Sequence, residues 1–286
     1  MKIVLLPNPY CDRQFACAEN AYRELLSNGC EVSVCLPFGI TLEGEPPQWM
    51  HLSDPDEAFH NADAMICLGG DGTILHTAKI AIEKKIPILG INVGTLGFMA
   101  ELESGDLSLL SKISKGEYFT EKRMLLEVSV FSCGKTVFQE FALNDAVVTK
   151  GAIARELRLS VRSSGTDILS YSGDGVIIAT PTGSTAYSFS AGGPIVEPTT
   201  ECILVTPICA HAHNAGSIVL DPGREVAVYT DRSGRRNAYL SVDGGRGYRL
   251  EVGDIVRVRR AEYSIELVRL NHRNFFDTIR KKFYDR

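Results

Sequence analysis

Near its amino-terminal end the chain alternates short apolar runs with stretches of helical spacing, and that rhythm restricts the fold more than any other feature. Residues 1–6, 31–36, 63–68 and 86–92 read as strands, and residues 15–26 and 73–84 read as helices. A helix between two strands returns the chain to the sheet end it started from, so the strands lie parallel under a helical cover. The helix at 15–26 runs into "SNG", a C-cap signature, because glycine accepts the left-handed turn that closes a helix. Polar, proline-bearing sequence fills 39–56.

The rhythm stops near Gly116. Short strand-like segments follow at 125–131, 157–163, 175–180, 202–208, 217–220, 225–230, 238–244 and 254–260, with turn signals at "SSGTD", "DPG" and "DRSGR". Few helical stretches interrupt them, which predicts a second, strand-rich domain. Residues 264–270 read as a further strand. Residues 274–283 read as a helix whose Phe275, Ile279 and Phe283 recur near four-residue spacing, so it needs a surface to pack on. The predicted boundaries are 1–115 for the α/β domain, 116–264 for the β-rich domain and 265–286 for a C-terminal segment.

Composition excludes several classes. With 286 residues, 44% of them hydrophobic and 23% charged, the chain is long enough to bury a real core. A net charge of -5 argues against nucleic acid or an anionic membrane as partner, since both require a basic field. The opening "MKIVLLPNPY" has only residues 3–6 as an unbroken apolar run before Pro7, too short for an export signal. No run approaches the length of a membrane span. The eight cysteines include no Cys-x-x-Cys pair and mostly adjoin apolar residues, so they read as core thiols in a reducing cytoplasm.

Residues 67–76 read "CLGGDGTILH". The loop lacks the lysine of a phosphate-binding P-loop. It also fails the dinucleotide fingerprint, because Leu75 stands where the third glycine belongs and Asp71 would repel a bare pyrophosphate. Its place, between a strand and a helix, is nevertheless where α/β proteins hold ligands. Gly69, Gly70 and Gly72 permit a tight turn and close approach. Two readings of Asp71 stand: a helix cap or turn residue, or a carboxylate that serves phosphoryl transfer by taking a hydroxyl proton or by placing Mg²⁺ beside phosphate. His76 and Cys67 read as packing residues.

A second run, "GDGVIIATPTGSTAYSFSAGG" at 173–193, repeats the acidic turn at Asp174. It then sets hydroxyls at Thr180, Thr182, Ser184, Thr185, Tyr187 and Ser188. Such a strip suits phosphate, ribose or an amide, and Tyr187 suits stacking on a flat ring. "NVGTLGF" at 92–98 follows the fourth predicted strand. "LND" at 143–145 places Asn144 beside Asp145, a donor and acceptor set matched to a ribose diol, or simply a turn. Arg155 faces either a phosphate or solvent.

Taken together, "GGDGT", "NVGTLGF", "LND" and the segment 173–195 resemble the NAD kinase family. The resemblance implies an α/β fold class: an N-terminal Rossmann-like α/β domain plus a C-terminal β-rich, β-sandwich-like domain. The site would lie between them, and the C-terminal segment would return to the first domain. It implies transfer of the γ-phosphoryl group of ATP, or of inorganic polyphosphate, to the 2′-hydroxyl of the adenosine ribose of NAD, giving NADP with help from a divalent cation, Mg²⁺. It implies a cytoplasmic homodimer or homotetramer.

By position, Asp71 becomes the catalytic aspartate, with Gly70 and Gly72 shaping its loop. Phe98 faces substrate. Asn144 and Asp145 hold the adenosine ribose, with Asp145 in place of the family's Glu. Asp174, Thr185, Ala186, Tyr187 and Ser190 match the NAD-binding stretch. Residues 206–220, "TPICAHAHNAGSIVL", depart from the family pattern: a proline and an arginine are absent and His213 is added near His211, a pair too small for a metal site. The metal ligands stay unassigned. A kinase acting on a lipid or sugar alcohol, or a non-catalytic NAD(P)-binding regulatory protein, remain as alternatives.

Overall fold

The computed structural model describes residues 1–286 except 38, 152–155, 212–214, 231–236, 272–273 and 285–286. Arg155, His213 and the turn at 231–235 lie outside the described residues. The chain divides into two units, Met1–Lys122 with Ile265–Arg286, and Arg123–Ser264.

The first unit opens with β1 (Lys2–Pro7), α1 (Ala16–Ser27), β2 (Glu31–Val34), α2 (Pro55–Phe59), β3 (Ala64–Gly69), α3 (Asp71–Lys84), β4 (Ile88–Asn92), a short β5 (Leu102–Glu103) and α4 (Ser111–Ser114). Strands β2, β1, β3 and β4 are adjacent in that order and all parallel. Every residue of β3 and β4 is buried. That is why these strands read as unbroken apolar runs: helices and loops cover both faces of a parallel sheet. α1 packs Ala18, Ala21 and Leu25 into a core with Ile3, Leu5, Ile66 and Leu89. It ends at Asn28 and Gly29, whose φ of +76° is the left-handed turn that "SNG" predicts.

In the second unit lie β6 (Phe119–Ser132, entering from the first), β7 (Lys135–Ala142), β8 (Asp145–Lys150), β9 (Leu157–Ser163), β10 (Thr166–Gly173), β11 (Gly175–Ala179), α5 (Tyr187–Ser190), β12 (Ile203–Ile208), β13 (Ile218–Leu220), β14 (Val226–Thr230), β15 (Ala238–Val242) and β16 (Tyr248–Leu250). One antiparallel sheet runs β13-β12-β11-β8-β15-β16, and β10-β9-β14 belong to a second. Leu126 and Val128 of β6, Val148 of β8, Leu159 and Val161 of β9, and Ile178 of β11 meet in one core, so the strands form a sandwich. β9 alternates buried and open positions, as a half-covered strand should. β11 and β12 are buried throughout, because Ala191 and Val196 pack on their other face.

One prediction needs correction. The expected strands at 254–260 and 264–270 are a single strand, β17 (Ile255–Arg269). Its early residues pair with β14, and Leu267 pairs in parallel with Ile88 of β4. No glycine or proline stands between them to stop the strand. Val268 and Leu270 then enter the core of the first unit.

Arg269, at the end of β17, meets Glu101 at 3.3 Å and Glu121 at 3.1 Å; Glu101 also accepts the amides of Leu270 and Asn271. α6 (Phe275–Phe283) follows, capped by Asn274, whose side chain accepts the Phe276 amide. No described helix is long and apolar enough to cross a membrane.

Candidate functional site

The carboxyl edge of the parallel sheet gathers three loops. Gly69 and Asn92, the last residues of β3 and β4, are register partners, so the segments beginning there leave the sheet side by side. Asn8, just past β1, donates from its side chain to Thr73 Oγ1 at 2.9 Å and from its backbone to the Leu68 carbonyl at 3.0 Å. Open α/β sheets place their ligands at this edge. Asn8 escaped the sequence reading, since a lone asparagine between two prolines reads as a turn.

Asp71 is the first residue of α3, and Gly70 occupies the N-cap without a side-chain hydrogen bond. The Asp71 carboxylate caps nothing in its own helix. It accepts the amides of Phe98 at 2.9 Å and Met99 at 3.0 Å, across the loop that follows β4. Each such charge-assisted bond is worth roughly 1.5–3 kcal/mol. The helix-cap reading of Asp71 therefore fails, and its orientation is set by a neighbouring loop.

Two glycines make this possible. A Cβ on Gly97 would strike the Asp71 carboxylate, and a Cβ on Gly69 would strike the Thr73 side chain. Gly70 and Gly72 differ: a Cβ on either would meet nothing within 4 Å. Their lack of a side chain leaves the surroundings of Asp71 clear rather than relieving an internal clash. His76 is part of α3, and Cys67 is buried in β3 with its thiol pushed up to about 12 by burial.

Phe98 is partly buried, and α6 is the surface beside it. Its ring lies 6.2 Å from that of Phe275 and 5.8 Å from that of Phe283, with Lys282 Nζ 4.4 Å from its centroid. The four-residue spacing of Phe275, Ile279 and Phe283 thus serves two ends: Ile279 is buried, and the two phenylalanines flank Phe98.

In the second unit, Asp145 starts β8 and Asn144 precedes it. Both are fixed through their backbones by Asp243, whose carboxylate accepts from Leu143 at 2.7 Å, Asn144 at 2.7 Å and Asp145 at 3.0 Å. Asp243 adopts a φ of +49°, a left-handed conformation that aspartate tolerates better than most residues. Thr180 Oγ1 donates to the Leu143 carbonyl at 2.5 Å, its backbone amide donates to Asn144, and Gly183 lies so close that a Cβ would strike the Asn144 carbonyl. The segment at 180–183 and the Asn144–Asp145 pair therefore form one packed piece. The Asp145 carboxyl, buried first and repelled by Asp243 second, is pushed up to about 7.

The hydroxyl strip divides into two sets. Thr180, Thr182, Ser184 and Ser188 are buried and internally bonded: Arg123 donates to Thr182 at 3.2 Å, Ser184 pairs with the backbone of Val196, and Ser188 meets Thr206 at 2.8 Å. Thr185 and Ala186 are partly open, while Tyr187 and Ser190 are exposed. Asp174 forms an ion pair with Lys150 at 2.6 Å, a partner that the spacing of 24 residues concealed.

Residues 3–118 match the family model described as the ATP-NAD kinase N-terminal domain, and residues 143–270 match that of the ATP-NAD kinase C-terminal domain. A protein named NAD kinase from Acetivibrio thermocellus is 35% identical over 287 positions, covering 100% of this chain and 98% of the relative. The NAD kinase of Caldanaerobacter subterraneus is 37% identical over 286 positions, covering 100% and 99%. The chain belongs to the NAD kinase family.

Solved structures agree on the fold. A yeast NADH kinase complexed with NADH superposes with a TM-score of 0.83 at 24% identity, covering 100% of this chain and 88% of the other. An NAD kinase from Archaeoglobus fulgidus in complex with ATP gives 0.73 at 24% identity, covering 98% and 99%. The Asp71 loop lies within the match to the N-terminal NAD kinase domain, and Asn144, Asp145, Asp174 and residues 180–190 lie within the match to the C-terminal one. Among the described residues no group of three or more His, Cys, Asp or Glu is placed to hold a metal ion. All eight cysteines are free; five are buried as core thiols, but Cys11, Cys133 and Cys209 are exposed.

Proposed function

We propose that this protein transfers the γ-phosphoryl group of ATP to the 2′-hydroxyl of the adenosine ribose of NAD, giving NADP and ADP. The observation that carries the reading is the membership of the NAD kinase family, in a chain whose Asp71 is held by the Phe98 and Met99 amides rather than spent on its own helix.

In this reading Asn144 and Asp145 bind the ribose of the adenosine, and Asp174, Thr185, Ala186, Tyr187 and Ser190 bind the rest of NAD. The exposed Tyr187 supplies a stacking face and the open hydroxyls supply donors. Phe98 borders the substrate, Gly70 and Gly72 leave room for it, and Arg155 meets a phosphate. Asp71 orients the 2′-hydroxyl and accepts its proton as the oxygen bonds to the γ-phosphorus and the bond to the bridging oxygen of ADP breaks. A carboxylate is a weak base, so early deprotonation is not required; phosphoryl transfer depends mainly on alignment and charge stabilisation.

Mg²⁺ is held chiefly by waters and substrate phosphates with one or two carboxylates, so in this reading the cation would arrive on ATP. Bound there, it would neutralise charge on the phosphates. The active species is a homodimer or homotetramer.

The test is NADP formation by the purified protein supplied with NAD, Mg²⁺ and either ATP or polyphosphate. NADP with ATP supports the reading, and NADP with polyphosphate alone changes the donor. NAD binding without any NADP from either donor would overturn it in favour of a regulatory protein.

A further inference from the structure

Arg269 stands 170 residues from Met99 in sequence, yet its Nη1 donates to the Met99 carbonyl at 3.1 Å. The amide of the same residue donates to Asp71 Oδ1 at 3.0 Å. Only the φ and ψ of Met99 separate the two peptide planes, so fixing one restricts the other. The segment is also pinned on its far side. The Glu101 amide donates to the Gly90 carbonyl at 2.9 Å, and a Cβ on Gly90 would come within 3.0 Å of the Ala100 backbone.

We propose that Arg269 is a positioning residue for the phosphoryl transfer, acting on Asp71 through the backbone of Met99. The guanidinium is itself held on two sides, by Glu101 at 3.3 Å and Glu121 at 3.1 Å. Its planar fork gives it one orientation, whereas a lysine would supply a single flexible arm. Glu101, almost fully buried, also binds the amides of Leu270 and Asn271, which fixes the backbone from which Arg269 projects. The Arg269–Glu101 pair thus ties the end of β17 to the loop that aims the carboxylate. The proposal rests on the function proposed above.

Replacing Arg269 alone would strand the buried charge of Glu101 and risk unfolding the protein. The informative variant is the double substitution R269M/E101Q, which removes both charges and keeps an acceptor for Leu270 and Asn271. In the folded full-length protein, kcat for NADP formation is expected to fall about tenfold to a hundredfold, as displaced catalytic groups do, with KM for NAD and ATP within about twofold. Amide hydrogen exchange should accelerate at residues 97–100 while β1 and β3 keep their protection. Arg269→Lys should recover part of kcat.

A kcat within about twofold of the unsubstituted protein would overturn the proposal. So would exchange that rises evenly across the first unit, which would mark Arg269 as a stabiliser only. If the unsubstituted protein forms no NADP, the functional reading fails, and exchange alone decides the coupling. Protection lost at 97–100 only would then support the link to Asp71, and unchanged protection there would refute it.

Discussion

Asp145 and Asp243 hold each other through their backbones. The Asp145 amide donates to the Asp243 carboxylate at 3.0 Å, and the Asp243 amide donates back to the Asp145 carbonyl at 2.9 Å. Asp243, only partly buried, spends its carboxylate on backbone amides, while Asp145, beside it, is left with a buried carboxyl of raised pKa.

Stability should depend on pH at this position. An aspartate in the unfolded chain titrates near 3.9, below the value of about 7 that Asp145 has when folded. Between these limits the folded protein binds the extra proton, so stability falls as pH rises, and the contribution is complete below pH 4 and lost above pH 7. Asp145→Asn removes the titration. The variant should be more stable than the parent at pH 8 by on the order of 1–3 kcal/mol, with the gap closing toward pH 5. Urea midpoints at both pH values measure it, and a gap that ignores pH would count against a raised Asp145.

Asp71→Asn keeps the shape of the side chain but removes its charge and one of its two acceptors. Turnover should fall by about a thousandfold, within the range of lost general-base catalysis, while the Kd for NAD changes less than about threefold. Steady-state NADP formation and calorimetric titration with NAD separate the two. Near-normal turnover would sink the role assigned to Asp71.

Gly97→Ala should destabilise the fold where Gly72→Ala does not. The new methyl at 97 meets the Asp71 carboxylate, so either the loop or the side chain must move, at a cost of about 1–3 kcal/mol and with reduced kcat. At 72, in the first turn of α3, the methyl meets nothing, and helix propensity predicts a gain of roughly 0.5–1 kcal/mol. Thermal melts of the two variants should shift in opposite directions.

Phe283→Ala removes one of the rings beside Phe98. A loss of about 1–2 kcal/mol is expected from the lost apolar contact and ring pairing. Phe283→Leu should restore much of it. Chemical denaturation of the three proteins provides the comparison.

The parallel strands were legible because burial on both faces leaves long apolar runs in β1, β3 and β4, broken only at their ends by Lys2 and Asn92. β7 was not, because half of its side chains are exposed and "KTVFQEFA" shows no clean alternation. The break expected after 260 came from the polar residues of "AEYS", which are mostly exposed within a strand that pairing on either side keeps extended. At the site, Asp71 stood out by its glycines, but what it binds did not: Phe98 and Met99 act through their amides, which every residue but proline possesses. Asp243 was hidden for the same reason. The hydroxyls at 180–188 all looked available in sequence, yet Thr180, Thr182, Ser184 and Ser188 are engaged in holding the segment to its neighbours.

The division of the first unit between residues 1–122 and 265–286 has a consequence for synthesis. A chain emerging from the ribosome presents the parallel strands and the Asp71 loop early, but Arg269 and α6 follow only after the whole second unit has been made. Domains tend to fold in the order in which they appear. Here the first to appear must wait for its last strand, so the nascent protein would hold a loosely aimed carboxylate until translation reaches the segment that steadies it.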